Sequence, residues 1–362
     1  MLERFKVPAK DAVRVKEARL REVVAAIFEK MNVPPEDARI AADTLVVADL
    51  RGCETHGVSN TLRHYVKAYQ EGKINPRPNW RVVRESPSTA LVDSDFGHGL
   101  IVTPKAMEIA IKKADRTGIG MVVVDNGRHL GMCAYYAMQA LEYNMIGVCM
   151  TSGGGQAMVP TFARDALLGT NPLAIAVPTG KESPFVFDAA MTSIAGNKIA
   201  LAKRVGSSLL PGWLADEHGN PIMVPIDPPK EGHKMLPWGT TRELGSHKGY
   251  SMGMAVDILA GVLSGAGHSM RIPRGEMSHT LIAIKIASFI AVEDFKKDMD
   301  DMLYRLRTAR PAAGCERVLY AGLPEAEETK ERKAHGIPLH KEVVEWFKGI
   351  CEELSIPFTL TK

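Results

Sequence analysis

The hydrophobic pattern of the chain changes its period near residue 79. Before that point, apolar residues recur every three to four positions through 11–31, 34–51 and 59–71, with charged residues between them. This spacing is typical of amphipathic helices. Beyond it, short apolar runs bounded by Gly, Pro and Ser alternate with helical segments. The pattern therefore predicts an α/β fold preceded by a mostly helical region.

The predicted elements divide the chain into two domains. A mostly helical domain over 1–78 is expected to be joined by C-terminal helices within 292–362, and an α/β domain over 79–291 lies between them. Residues 206–245 are rich in Gly and Pro and predict a long irregular excursion. The helix over 250–263 is apolar nearly all round, which predicts burial in a core or an interface. Strands are predicted over 80–84, 89–93, 120–125, 146–151, 173–178, 184–188 and 279–284, and further helices over 103–117, 132–144, 194–204, 292–308 and 339–354.

Composition narrows the classes of partner. Lys and Arg total 45 against 42 Asp and Glu, a net charge of +3. This near balance argues against a nucleic-acid or membrane-binding surface, because either needs a clustered basic face. The five cysteines are scattered and form no CxxC pair, which is typical of reduced thiols in a cytoplasmic protein. The charged residues at 1–6 lack an apolar segment, so we expect no signal peptide.

Familiar ligand-binding motifs are absent from the sequence. No GxGxxG follows a strand, and Gly153-Gly154-Gly155 has the wrong spacing for a Rossmann turn. There is no GxxxxGK[ST], no HExxH and no cluster of Cys and His at metal-ligand spacing. We therefore expect no bound metal, and any dinucleotide would be held without the usual fingerprint.

Polar residues instead stand at the ends of apolar segments. His56 lies between Thr55 and Gly57 in a break between two helices, where an imidazole can exchange a proton near neutral pH. His129 follows a buried strand and opens a helix, a position suited to an anion or to a structural cap. Asp188 ends an apolar strand and is expected to have a partner, because buried acids are rarely unpaired.

These residues occur in motifs that resemble the malate/L-lactate dehydrogenase-like family of NAD(P)-dependent oxidoreductases, which is unrelated to the Rossmann lactate and malate dehydrogenases. The resemblance runs from about residue 10 to about 358. Any one motif is weak, but five in the same order are specific. The motifs are ADLRGCETHGV from Ala48, RHLG from Arg128, GTNPLA from Gly169, FDAA from Phe187 and HKGY from His247.

The resemblance implies a chemistry and a set of site residues. His56 would be the proton donor to the substrate carbonyl or imine, and Thr55 and Asp188 would orient it. His129 would lie near the nicotinamide and the substrate. The implied fold is a non-Rossmann dinucleotide-binding α/β domain with a separate helical domain, in a homodimer whose active site lies near the interface. The cofactor, NAD or NADP, is expected along His129, Leu130, Gly131, Met132, Cys133, Ser152, Asp188, Ala189, Ala190, His247, Lys248, Gly322, Leu323, Pro324 and Glu325.

The sequence departs from the family pattern mainly on the substrate side. Thr55 replaces the usual serine and keeps the hydroxyl. Asn60 stands where the family usually has an arginine, four residues after the histidine, which suits a substrate carboxylate. His64 stands in place of the usual tyrosine, and Asn197 in place of a glycine. We assign Asn60, His64 and Thr170 to the substrate side and infer a substrate that differs from malate or lactate.

Three functions follow from this pattern as hypotheses. The first is reversible hydride transfer between NAD(P)H and the C=O of a small 2-oxo acid. The second is reduction of a cyclic ketimine or oxidation of a sugar-like substrate, which the loss of the arginine at Asn60 favours. The third is a cofactor-binding protein without catalysis, against which the retained His56, His129, Asp188 and Lys248 argue.

Overall fold

The computed structural model describes residues 3–230 and 232–361. The first two residues of the expected signal-free N-terminus, residue 231 of the excursion and the last residue of the C-terminal region lie outside the described residues. The helices are α1 (Glu17–Lys30), α2 (Pro35–Leu50), α3 (Arg63–Gln70), α4 (Gly99–Thr117), α5 (Cys133–Gln139), α6 (Gly196–Val205), α7 (Ser246–Val256), α8 (Val292–Arg307), α9 (Leu323–His335) and α10 (Lys341–Glu353). The strands are β1 (Ala12–Val15), β2 (Arg81–Glu85), β3 (Thr89–Asp93), β4 (Ile119–Gly127), β5 (Met145–Gly153), β6 (Leu173–Val177), β7 (Phe185–Ala189), β8 (Leu214–Ala215), β9 (Lys234–Met235), β10 (Met277–Lys285) and β11 (Ile337–His340).

A seven-stranded mixed sheet forms the centre of the α/β region, in the order β2-β3-β4-β10-β5-β6-β7. Only β3 and β4 pair in parallel, and the other neighbours in this sheet are antiparallel. A doubly wound dinucleotide-binding sheet is mostly parallel, so the predicted non-Rossmann α/β fold is confirmed. The helices α4 and α5 bury one face of the sheet in a cluster that includes Met107, Tyr136 and Leu281.

The helical region has its own apolar core, to which both ends of the chain contribute. Leu20 and Phe28 of α1, Leu45 of α2 and Phe347 of α10 belong to one buried cluster. By contrast, Asp300 of α8 accepts hydrogen bonds from the backbone N–H groups of 180–182, beside the sheet. The division into domains at residues 78 and 291 stays a prediction.

Two of the predicted helices begin later than expected, because their first residues pair as strands. Residues 11–31 were predicted as one helix, but Ala12–Val15 form β1, which pairs antiparallel with Ile337–His340. The pairing buries Val15 and Leu339 completely or nearly so. The partner strand is more than 300 residues away in sequence, so the local pattern carries no sign of it. Helix α9 was not predicted, because its sequence is charged on most sides.

The apolar helix predicted over 250–263 is buried in this chain on one side only, where Val256 and Ala260 are almost fully buried. It consists of α7 and a π-helical turn at Asp257–Val262. Its outer face leaves large apolar side chains in contact with solvent: Met252, Met254, Ile258, Leu259, Val262 and Leu263. The burial of this exposed face in an interface stays a prediction. No helix in the described part of the chain is long and apolar enough to cross a bilayer.

Candidate active site

One cavity of about 490 Å³ lies where the turn after α2, the loop after β4, the end of β7 and the first turn of α6 meet. This size is within the range of small-molecule sites, roughly 300–1,000 Å³. The cavity brings together residues from the first four of the five sequence motifs, and none from the motif that begins at His247. It is lined by Gly52, Cys53, Thr55, His56, His129, 131–133, Thr170, Pro172, 188–190, 192–198, Trp238, Met277 and Glu325.

A buried polar network fixes the turn that carries His56. The Asp49 carboxylate accepts a hydrogen bond from the backbone N–H of Val58 at 2.8 Å. Arg332 donates to the Asp49 carbonyl at 2.8 Å and to the Glu54 carboxylate at 2.9 Å. Gly57 is required here, because a Cβ at this position would lie 2.1 Å from the Asp49 carboxylate. The turn is therefore held at both ends.

The His56 ring is oriented by its neighbours in the cavity wall. The Thr55 hydroxyl lies 2.9 Å from Nδ1 of His56, and the Asn197 amide donates to the Thr55 carbonyl at 2.7 Å. Burial lowers the pKa of His56 to about 3, with smaller contributions from His129 and Lys198. The imidazole is therefore neutral at neutral pH and can accept a proton from a bound alcohol.

His129 faces His56 across the cavity. The two rings are parallel within 7°, with centroids 5.9 Å apart. Nδ1 of His129 accepts a hydrogen bond from the Gly131 N–H at 3.2 Å and lies 2.5 Å from the Tyr65 hydroxyl. Burial lowers the pKa of His129 to about 4. Since Nδ1 accepts, the neutral ring carries its proton on Nε2, which leaves a donor for a ligand.

A π-helical turn at Val58–Leu62 leads into α3, the helix that carries Tyr65. A π turn contains one residue more than an α-helical turn, and such turns often occur at functional sites. Beyond this turn, Tyr65 lies against the ring of His129. The tyrosine next to His64 was the available signal in the sequence.

Asn60 and His64 are not among the described residues that line the cavity. Asn60 is buried, and its amide donates to the Glu54 carbonyl at 2.7 Å. Its carbonyl oxygen accepts from Arg204 at 2.9 Å, and that guanidinium also binds Ser59 and Glu342. The arginine closest to Asn60 is thus engaged away from the cavity. The substrate roles of Asn60 and His64 stay predictions, whereas Thr170 lines the cavity.

Asp188 lies in the cavity wall but does not contact His56 by any hydrogen bond within the described ranges. Its carboxylate accepts from the backbone N–H of Ala134, in the first turn of α5, at 2.7 Å. The side chain is open to the cavity yet surrounded by protein, and this burial raises its pKa to about 7, against the effects of Ala134 and Arg51. Of the predicted relay, the Thr55 contact is present in the structure. The orienting role of Asp188 stays a prediction.

The predicted cofactor residues fall into three groups: those that line the cavity, those that are buried, and those at the starts of two helices. Most of them line the cavity together with the two histidines, namely Gly131, Met132, Cys133, Asp188, Ala189, Ala190 and Glu325. Leu130 is buried behind the wall, and the Ser152 hydroxyl donates to the buried Asp257 carboxylate. The others lie at the starts of two helices outside the wall: His247 and Lys248 at α7, and Gly322, Leu323 and Pro324 at α9.

Part of the cavity wall is formed by residues with small side chains or none. Gly131, with a φ of +74°, has no side chain, and Ala189 and Ala190 each carry only a methyl group. These residues fit a nicotinamide, whose face needs a close, largely apolar contact. Among the described residues, no group of three His, Cys, Asp or Glu side chains is placed to hold a metal ion.

Sequence reasoning did not select Lys198 or Trp238, both of which line the cavity. Lys198 follows Asn197, where a glycine is usual in the family that the chain resembles. This departure at the neighbouring position was the available signal for Lys198 in the sequence. Trp238 lies in the excursion at 206–245, whose path depends on tertiary contacts such as the hydrogen bond from its N–H to the Met191 carbonyl.

Two buried histidines outside the cavity predict a loss of stability in acid. His98 and His279 are almost fully buried, and burial lowers the pKa of each to about 3. In the unfolded chain a histidine titrates near 6.5, so protonation favours unfolding. The stabilisation is complete above about pH 6.5 and is lost as the pH falls from there toward 3. At pH 5 each histidine is expected to cost about 2 kcal/mol.

Urea unfolding of the wild type and of His98→Asn at pH 7 and pH 5 measures this cost. The free energy of unfolding of the variant is expected to fall by about 2 kcal/mol less over this interval. Comparing the two proteins cancels the titration of the carboxylates that both share. An equal fall in both proteins would contradict the assignment.

The comparisons with known proteins agree on one family. The family model described as malate/L-lactate dehydrogenase matches residues 15–348. The chain is 37% identical to a malate dehydrogenase of Pyrococcus horikoshii over 350 residues, covering 95% of this chain and 96% of that protein. It is 36% identical to an L-sulfolactate dehydrogenase of Methanocaldococcus jannaschii, over 93% of this chain and 96% of that protein. The crystal structure of a malate dehydrogenase of Entamoeba histolytica superposes with a TM-score of 0.91 at 30% identity, covering 96% and 99% of the two chains.

Proposed function

The chain belongs to the malate/L-lactate dehydrogenase family and is a dehydrogenase acting on CH–OH, and we propose that it transfers a hydride reversibly between NAD or NADP and the C2 carbon of a small 2-hydroxy acid. The observation that carries the proposal is the pair of neutral, parallel imidazoles of His56 and His129 in one cavity. One of them can exchange a proton while the other donates a hydrogen bond.

His56 acts as the proton acceptor during oxidation and as the proton donor during reduction. Its low pKa suits the oxidative direction, because a neutral imidazole can take the proton of the C2 hydroxyl as the hydride leaves. The Thr55 hydroxyl and the Asn197 amide hold the ring in place during this exchange. When bound, the nicotinamide ring supplies or accepts the hydride.

His129 is proposed to bind oxygen rather than to move a proton. Its Nε2–H is free to donate to the substrate oxygen or to the nicotinamide carboxamide, because Nδ1 is already occupied by Gly131 and Tyr65. Such a donor stabilises the negative charge that develops on the oxygen during hydride transfer. Asp188 is proposed to assist by keeping the Cys133–Ala134 end of α5 against the cavity.

The function is tested by following NADH and NADPH consumption with a panel of substrates. We expect turnover with at least one 2-oxo acid from oxaloacetate, pyruvate and 3-sulfopyruvate. The panel also contains a cyclic 2-carboxy imine and a neutral ketose, and exclusive turnover of either would replace the proposal by the ketimine or sugar alternative. A saturating ligand, at about 100 times its dissociation constant, adds roughly 2.7 kcal/mol of stability. A thermal shift with NADH but no turnover on any substrate would favour a non-catalytic cofactor-binding protein.

A homodimer is proposed from the exposed apolar face of α7 and the following π turn. Met252, Ile258, Val262 and Leu263 each expose between 45% and 53% of their surface. Contiguous apolar patches of this kind on soluble proteins mark interaction sites. The α7 helix also begins at His247 and Lys248, so a dimer formed there lies beside proposed cofactor residues. Sedimentation velocity measures this state directly.

A further inference from the structure

The cavity wall carries one basic side chain other than histidine among its described residues. Among the described residues that line it, Lys198 is the only lysine or arginine. It lies in the first turn of α6, and its Nζ is 5.9 Å from the ring centroid of Trp213 and 6.0 Å from that of Phe5. No carboxylate in the described ranges lies within ion-pair distance of this ammonium group. A partly buried ammonium without an anion is unusual, because burial of a charge is costly unless it is paired.

The charges of the cavity are separated. The pKa of Asp188 responds to Arg51 and Glu325, and that of His56 responds to His129 and Lys198. Burial lowers the pKa of Lys198, and neither Asp188 nor Glu325 acts on it. Lys198, beside His56, is the cationic part of the wall, and Asp188 and Glu325 form the acidic part, where a pKa of about 7 leaves Asp188 partly protonated at neutral pH. An anionic group entering the cavity is attracted to the cationic part and repelled by the acidic part.

Two arginines near His56 are engaged outside the cavity. The guanidinium of Arg204 binds Asn60, Ser59 and Glu342 outside the cavity. Arg332 lies in the buried network with Asp49 and Glu54. These two guanidinium groups are therefore not free to bind a substrate acid. Asn60 itself carries no charge, although an arginine is usual at its position in the resembling family.

We propose that Lys198 binds the carboxylate of the substrate and so selects acids over neutral alcohols. This assignment rests on the proposed function and names the group that determines its substrate class. The bound carboxylate also compensates the positive charge of Lys198 beside His56. The His56 pKa then rises toward its ordinary value, which assists proton donation in the reductive direction.

Binding of oxamate, an unreactive analogue of a 2-oxo acid, tests the assignment by titration calorimetry with and without saturating NADH or NADPH. The variants are Lys198→Met, Lys198→Arg and, as a matched control, Lys203→Met on the exposed side of the same helix. Hydrogen bonds to charged groups contribute roughly 1.5–3 kcal/mol, so oxamate is expected to bind Lys198→Met roughly 10- to 100-fold more weakly. Lys198→Arg should recover part of the loss, and Lys203→Met should bind as the wild type does.

Kinetics with pyruvate and its neutral methyl ester give a second readout. The ratio of kcat/KM for the acid to that for the ester should fall by a similar factor in Lys198→Met, with unchanged NADH binding. Equal oxamate affinity in the wild type and Lys198→Met, or no oxamate binding to the wild type, would overturn the assignment. Oxamate binding that depends on Lys198, in a protein that oxidises neither NADH nor NADPH, would instead support the assignment and remove the proposed function.

Discussion

Replacing His56 by alanine is expected to lower kcat by roughly 10²- to 10⁴-fold, the contribution typical of a positioned general acid or base. The physical reason is that His56 is the proposed proton-exchanging group and is held in place by the Thr55 hydroxyl. His129 has Nδ1 occupied by Gly131 and Tyr65, and Asp188 is turned to the N–H of Ala134. The loss should appear in both directions of the reaction, because the same imidazole serves both.

Steady-state kinetics with the preferred 2-oxo acid and its 2-hydroxy acid measure this loss. The control is His218→Ala, an exposed histidine in the turn at 216–220, which should keep wild-type kcat. Binding of NADH should be unaltered in both variants, because alanine at position 56 removes no proposed cofactor contact. Wild-type turnover by His56→Ala would show that another group moves the proton.

Replacing Arg332 by methionine is expected to destabilise the fold by about 3–5 kcal/mol, the range for breaking one side of a buried ion pair. The side chains of Arg332 and Glu54 are each 2% exposed and lie 2.9 Å apart. Burial raises the pKa of Glu54 although the facing guanidinium lowers it, so desolvation is the larger effect. Without Arg332, the Glu54 carboxylate and the Asp49 carbonyl lose their donor in a site that water does not reach.

Urea unfolding of Arg332→Met measures this cost. Arg317→Met is the matched control, because Arg317 forms a bidentate pair with Glu327 on the surface. Exposed pairs contribute roughly 0–1 kcal/mol, so the control should lie in that range. The double variant Arg332→Met/Glu54→Met should recover much of the loss, because it leaves no unpaired charge. Equal destabilisation by Arg332→Met and Arg317→Met would contradict a structural role for the buried pair.

The Arg332 network also connects two parts of the proposed site. Helix α9 begins at Leu323 beside Glu325 in the cavity wall, and Arg332, two turns further on, holds the turn that carries His56. The same substitution is therefore expected to lower kcat in the fraction that remains folded. A single helix thus contacts both the proposed cofactor region and the segment that precedes His56.

Patterns that depend on near neighbours in sequence were predictable. The helical start, the alternating strands and helices, and the positions of His56, His129 and Asp188 at the ends of elements follow from hydrophobic spacing and turn residues. The same local information failed at β1, whose partner β11 lies at the opposite end of the chain. It also failed at α9, whose charged sequence shows little amphipathic pattern and which is held by tertiary contacts such as that between Arg332 and Asp49.

The sequence by itself indicated the family and the α/β class and singled out His56 as the proposed proton-exchanging residue, because these depend on residue types and on their order. Tertiary structure alone decided which side chains share the cavity. After the π turn at Val58–Leu62, Tyr65 contacts His129, and the Asn60 side chain accepts a hydrogen bond from Arg204 outside the cavity. Lys198 is a candidate only because α6 begins in the same cavity as His56. The physical reason is that a side chain's partners are set by burial and by contacts between distant segments, which spacing along the chain does not encode.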